Sequence, residues 1–365
     1  MRSARDPRDA RLARLRASLE EAGLDAILVS SRANTRYLTG FTGTSSMLVV
    51  AKHETILITD FRYRTQARTE CAAVAQVEVE GVSLWGRLWN VLPKVQGVVC
   101  VGFESAHLLH GDYQRLVETG IRWSWRATSN VIEALREPKD ESEMVHIRAA
   151  VAIAEEALTK TIPEIAPGFT ELEVGANLER RLRELGSEWH PFETIVASGE
   201  RSALPHARCS QRALRNGDFI IVDFGAISGG YCSDITRTFV LGKADGAQRE
   251  AYDIVREANA TASSGVRAGM RGRDADALAR DYIERRGLGA EFGHSLGHGI
   301  GLEVHEAPRL AKTVDMPLPL GSVVTIEPGI YREGWGGIRI EDDVHLTAEG
   351  PVLLTSISRD LQELS

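Results

Sequence analysis

Four carboxylates stand where a carboxylate is costly. Asp223 closes the run FIIVDFG and Glu327 closes VVTIEPG, while Asp234 sits in YCSDITRTFV and Glu341 in GGIRIEDDVHL. Each lies in or at the end of an apolar, strand-like segment, and a buried carboxylate without a partner is expensive. Backbone donors or an arginine account for one such residue taken alone. Thr236 is the hydrogen-bond partner that strand alternation offers Asp234, and Arg339 shares the face of Glu341 two residues earlier. Several acids on neighbouring strands repel one another unless something positive lies between them, and metal ions are the usual resolution. The segment HSLGHGIGLEVHE adds His294, His298 and His305, three of the chain's 10 histidines, among glycines that allow close backbone approach. The donor set is rich in oxygen and poor in nitrogen. That favours manganese, with cobalt or zinc as the other divalent ions considered, over a structural zinc site. No H-E-x-x-H pattern occurs, which excludes a mononuclear zincin. Four carboxylates with one histidine suit two ions about 3–4 Å apart, bridged by a hydroxide.

The elements that must carry these residues show a faint internal repeat. A turn and helix at PGFTELEVGANLERRL resemble a turn and helix at AGMRGRDADALARDYIERR, with Thr170 and Glu173 placed for a capping box at the first. Later in each copy come a glycine, a polar residue, four strand-like residues and an acid: Gly217 to Asp223, and Gly321 to Glu327. A second acid follows in each, Asp234 and Glu341. A duplicated half-domain brings two such strand pairs face to face, so that four carboxylates meet near a pseudo-two-fold axis.

The 365 residues, 43% of them hydrophobic, exceed what one compact core usually takes. DAILVS, SSMLVVA, TILITD and VVCVGF read as strands separated by turns, and Leu12, Leu15 and Leu19 as the apolar face of a short first helix. The charged, Pro-containing segment IEALREPKDESEM marks a boundary. We therefore expect a smaller α/β domain over residues 1–130 and a larger α+β domain over residues 131–365. The second opens with a long helix whose stripe runs Val145, Ile147, Val151, Ala154, Leu158 and Ile162. The net charge of -8 argues against a nucleic-acid partner. The charged N-terminus, with no apolar core, is not a secretory signal. No segment reaches the ~20 apolar residues of a membrane span. The 4 cysteines form no C-x-x-C pair and read as free thiols of a reducing, cytoplasmic compartment.

FETIVASGERSALPHA, FIIVDFGAISGGYCSDITRTFV, HSLGHGIGLEVHEAPR and VVTIEPGIYREGWGGIRIEDDV together resemble the Xaa-Pro peptidases of the pita-bread metallopeptidase superfamily, prolidase and aminopeptidase P. SSRANTRYLTGFTG resembles the N-terminal domain of the same family. The resemblance implies a C-terminal pita-bread domain, a smaller creatinase-like N-terminal domain and a homodimer. It implies that Asp223, Asp234, His298, Glu327 and Glu341 bind two metal ions, with Asp234 and Glu341 bridging. It makes His206, His294 and His305 catalytic histidines near the substrate, and places Arg339 behind the ligands and Tyr331 beside the site.

The expected reaction is hydrolysis of an Xaa-Pro dipeptide, with the metal-bridging hydroxide as nucleophile. Glu327 is the general base, and His305 and a metal stabilise the oxyanion. His206 and His294 position the substrate or relay a proton. Arg309, or Arg36 of the front domain, is placed to take the free carboxylate after proline. Aminopeptidase P activity on longer Xaa-Pro peptides is the alternative, and a non-catalytic pita-bread binding protein the remote one. Methionine aminopeptidases usually lack the front domain, and creatinase lacks the ligands.

Overall fold

The computed structural model describes residues 6–365. Met1–Arg5, the first residues of the N-terminus read above as no secretory signal, lie outside the described residues. The chain forms two compact units, one ending at Arg136 and one running from Glu137 to Ser365. No described helix is long and apolar enough to cross a membrane.

The first unit is a six-stranded sheet. Its order is Gln76–Glu80, Thr55–Asp60, Ser46–Ala51, Ala26–Val29, Cys100–Glu104 and Ser124–Thr128. The three central strands join antiparallel, and the outer pairings are parallel. Helix Pro7–Glu21 is capped by Asp6 and buries Leu12, Leu15 and Leu19, the face its spacing predicts. Helices Arg32–Thr39, Arg64–Cys71, Leu84–Val91 and His110–Thr119 go beyond the strand-and-turn reading. Arg32–Thr39 is capped by Ser31 and stopped by Gly40 at φ +78°. Its eight residues are too few and too polar to declare a helical period.

The second unit is a doubled structure. A 21-residue helix, Glu141–Thr161, is followed by a 14-residue helix, Glu171–Glu184; later a 20-residue helix, Gly246–Gly265, is followed by the 14-residue Gly272–Arg285. Capping boxes open three of the four: Asp140 with Glu143, Thr170 with Glu173 and Asp245 with Gln248. Each helix pair shares a core with its own sheet. In the first sheet Phe219–Phe224 is flanked by Ile195–Ser198 and Ile235–Leu241. In the second Val323–Ile326 is flanked by Asp342–Thr347 and Gly297–Gly299, and the latter pairs with Glu306–Leu310. Gly217 and Gly321, the matched glycines of the repeat, both adopt left-handed backbone, at φ +90° and +86°. Val145 is not part of the buried stripe of its helix. It is 66% exposed, and the stripe runs Met144, Ile147, Val151, Ala154 and Leu158, alternating three- and four-residue steps onto one face.

The two sheets are stitched together where the acids lie. Glu341 N–H donates to Thr236 O at 3.1 Å and Arg339 N–H to Thr238 Oγ1 at 3.1 Å. The Arg237 guanidinium donates to the carbonyls of both Thr236 and Glu341, and pairs with buried Asp342 at 2.8 Å.

Candidate metal centre

The seam between the sheets brings the acids together. Asp223 lies in the central strand of the first sheet, and Asp234 stands just before the neighbouring strand. Glu327 follows the central strand of the second sheet, and Glu341 precedes Asp342–Thr347. Asp234, His298 and Glu341, all buried, present donor atoms within 4.8 Å of one another. Glu327 Oε1 is 3.5 Å from His298 Nε2, and Asp234 Oδ2 is 3.8 Å from the same nitrogen. Asp223 and Glu327 stand outside that closest trio but line the same cavity.

The free faces of these groups fit divalent cations. The His298 Nδ1 lies 3.0 Å from Gly299 O, which can only accept, so Nδ1 carries the ring proton. Burial pushes His298 down to about 4, so the ring is neutral and its Nε2 lone pair faces the Asp234 and Glu327 carboxyls at 3.8 and 3.5 Å without a hydrogen bond to either. Asp223 Oδ1 and Asp234 Oδ1 are buried without a hydrogen-bond donor. Burial, then the Glu341 and Asp223 charges, push Asp234 well above the usual carboxylate range. Burial, then Glu327 and Asp223, do the same to Glu341, and burial lifts Glu327 to about 8. A cation among them reverses the sign of that field and completes every open acceptor.

Backbone around His298 is pressed close. A Cβ on Gly297 would lie 1.9 Å from Thr325 O, and one on Gly299 2.1 Å from Ala307 O. Only glycine lets this short strand lie between its neighbours. Thr325 then serves twice: its hydroxyl accepts from His298 N at 3.1 Å and donates to Glu327 Oε1 at 3.4 Å.

A cavity of about 720 Å³ opens over the cluster. His206, His294, His305, Arg309 and Tyr331 line it with the acids, and Phe192, Ile195, Pro205 and Ala207 give it an apolar side. His305 stands edge-on to His298, ring centres 4.4 Å apart. His294 hydrogen-bonds the Tyr331 hydroxyl, which also accepts a hydrogen bond from Arg339. Arg309 is directly across the strand pair from His298 and makes no side-chain hydrogen bond or ion pair among the described residues. Arg36 belongs to the first unit.

Thr236 corrects one expectation. Its hydroxyl donates to Glu341 Oε2 at 2.6 Å, not to Asp234, whose backbone N–H instead donates to Asp343 Oδ2 at 3.2 Å. Alternation along one strand gives the face, but here the facing carboxylate comes from the other half of the repeat. Arg339 likewise reaches across, to Asp223 Oδ2 at 2.5 Å and Thr236 Oγ1 at 3.1 Å. Thr325 went unread in the sequence, although its place two residues before Glu327 put it on the same face. The buried Arg237–Asp342 pair carried no local signal.

Residues 145–348 match the model of metallopeptidase family M24, and residues 11–137 that of the creatinase/prolidase N-terminal domain. The structure of an Xaa-Pro dipeptidase from Bacillus anthracis is similar at 41% identity and a TM-score of 0.94, covering 98% of this chain and 100% of that one. An X-Pro aminopeptidase from Thermotoga maritima is similar at 38% identity and a TM-score of 0.90, covering 97% and 99%. An Xaa-Pro dipeptidase from Pyrococcus horikoshii is 35% identical, over 94% of this chain and 96% of its own length.

Proposed function

This chain belongs to metallopeptidase family M24, and on that premise we propose that it hydrolyses the Xaa-Pro bond of dipeptides, as a prolidase does. The observation that carries the dipeptide reading is Arg309. An exposed arginine without a hydrogen-bond or ion-pair partner among the described residues, facing a peptidase cavity across from His298, offers a two-pronged site for the free carboxylate that follows proline in a dipeptide. Xaa-Pro aminopeptidase activity is the second reading, favoured by the Thermotoga maritima likeness. Comparing Ala-Pro with Ala-Pro-Ala, with and without a chelator, tests both. Metal-dependent release of proline from Ala-Pro at a far higher rate is the expected result, and equal rates on both peptides overturn the dipeptidase reading.

In this reading Asp223, Asp234, His298, Glu327 and Glu341 hold two divalent ions, manganese by donor type. Bound there, such ions polarise a carbonyl and lower the pKa of water at the site. The chain's own groups do the rest. Glu327, steadied by Thr325, takes the proton of the attacking water. His305, at the cavity wall, donates to the carbonyl oxygen as it gains charge. His206 and His294 hold the substrate. The apolar side of the cavity receives the proline ring, whose tertiary amide has no N–H to grip. We carry a homodimer and a cytoplasmic setting with this proposal, the first on family resemblance and the second on four free cysteines.

A further inference from the structure

One buried ion pair outside the cavity lining reaches the site mainly through backbone groups. Asp276 and Arg280 stand one turn apart on helix Gly272–Arg285 and are 1% and 5% exposed. The guanidinium grips both carboxylate oxygens, Nε to Oδ2 at 2.5 Å and Nη2 to Oδ1 at 2.9 Å. Its remaining reach goes to the loop that carries His294: Nη1 donates to Phe292 O at 2.9 Å, and Nη2 to His294 O at 2.7 Å. Asp276 Oδ1 completes the grip by accepting from Leu296 N–H at 3.0 Å. The carbonyl of that same Leu296 accepts from Glu327 N–H at 2.9 Å. The Phe292 ring lies under the guanidinium at 4.1 Å and meets the His294 ring edge-on at 5.1 Å.

Phe292 and Leu296 sink into the core of the second unit, but the loop has little regular backbone structure to orient its peptide groups. Between Arg285 and Gly297 the single regular piece is the short turn Gly289–Glu291. As a source of stability a buried pair is weak, since apolar residues of similar volume serve as well or better. As a source of geometry it does what an apolar pair cannot: a planar fork and a carboxylate orient three peptide groups as well as place them.

We propose that Asp276 and Arg280 are positioning residues of this active site, clamping residues 292–296 so that His294 is aimed into the cavity and Glu327 is anchored beside it. The kinetic consequence rests on the Xaa-Pro peptidase reading; the structural one does not. Two variants test it in parallel. The double variant Asp276→Leu/Arg280→Met removes both charges and avoids stranding one, and Arg280→Lys keeps the charge but loses the fork. Each is loaded with zinc, which is diamagnetic, for the imidazole nitrogen signals of His294, and with manganese for kinetics on Ala-Pro. We expect shifted His294 signals in both. We also expect kcat/KM to fall about ten- to a hundredfold in the folded enzyme, with kcat and KM both altered, the scale of an ångström-sized misplacement. A merely structural role lowers the active fraction and leaves KM and the His294 signals unchanged. Wild-type His294 signals in either variant, if it folds, overturn the proposal. Should the wild-type chain not cleave Ala-Pro, the substrate reading fails by itself, and the His294 signals still decide the clamp.

Discussion

The Tyr331 hydroxyl donates to His294 Nε2 across 3.0 Å. The direction is set by the other side of the ring. Nδ1 lies 2.8 Å from Ser295 O, which only accepts, so the proton sits there, and burial pushes His294 down to about 4 and keeps it neutral. Arg339 donates to the same hydroxyl at 2.8 Å and to Asp223 at 2.5 Å. The chain of donors therefore runs one way, with one guanidinium feeding both Asp223 and the His294 arm.

Removing the middle link should show. In Tyr331→Phe, His294 Nε2 loses its donor and Arg339 Nη1 keeps only Pro205 O, at 3.4 Å. An unsatisfied buried polar group costs about 1–3 kcal/mol, so the variant should unfold at lower denaturant, and kcat/KM should drop by roughly tenfold or more as His294 loses its aim. Unchanged kinetics with intact Arg339 geometry would take the hydroxyl out of the site's working parts.

Cations should stabilise this fold. Adding manganese at about 100 times its Kd to metal-stripped protein stabilises it by roughly 2.7 kcal/mol, which for a unit of this size is a rise in Tm of several degrees. Asp234→Asn and Glu341→Gln each remove a donor from the closest trio and should flatten that response. Calorimetry of the three proteins checks it, and a Tm indifferent to chelator in the parent chain counts against the metal centre.

Glu327→Gln keeps the size of the side chain and the Thr325 contact but cannot accept a proton. We expect the fold to survive and turnover to fall by about two to four orders of magnitude, the usual worth of a positioned base. Full activity in that variant, with metal content measured and unchanged, would remove Glu327 from the role.

Much of this centre was legible because each acid lies in or at the end of an apolar, strand-like run, where ionisation has no local remedy. Gly217 and Gly321 were legible too, since a repeat that preserves a left-handed glycine preserves the strand behind it. Choosing His298 over His294 and His305 was different: the choice depends on which ring nitrogen faces the acids, and spacing holds no such information. Thr236 was assigned to Asp234 because alternation acts within a strand, whereas its partner Glu341 is 105 residues away. Asp276 and Arg280 went unread in the sequence, where they show only the i,i+4 spacing of any helix pair; their grip on residues 292–296 exists only once the loop is folded.

Burial pushes the Cys71 and Cys209 thiols up to about 11. The sign follows from linkage: an unfolded thiol ionises near ~8.5, so the stability these groups contribute is complete below that pH and is lost as pH rises toward 11. Fully buried Cys71 should resist iodoacetamide at mildly alkaline pH until the protein is denatured. Peptide mapping reads this directly, and labelling of native Cys71 at the rate of a free thiol would contradict the packing around it.

On the proposed dipeptidase reading, Arg309 sets how long a peptide the cavity accepts. Its guanidinium faces the site opposite His298 with no side-chain hydrogen bond or ion pair among the described residues, so removing it leaves no stranded charge and little structural cost. A charge-assisted contact with a substrate carboxylate is worth about 1.5–3 kcal/mol, so Arg309→Ala should raise KM for Ala-Pro roughly ten- to a hundredfold. In Ala-Pro-Ala the proline carbonyl is an amide and carries no charge, so that substrate should change little and the preference for dipeptides should shrink. Arg309→Lys restores the charge without the fork and should recover part of the affinity. Equal losses on both substrates would mean that Arg309 shapes the cavity and does not read the carboxylate, and the chain would then be better described by the aminopeptidase reading.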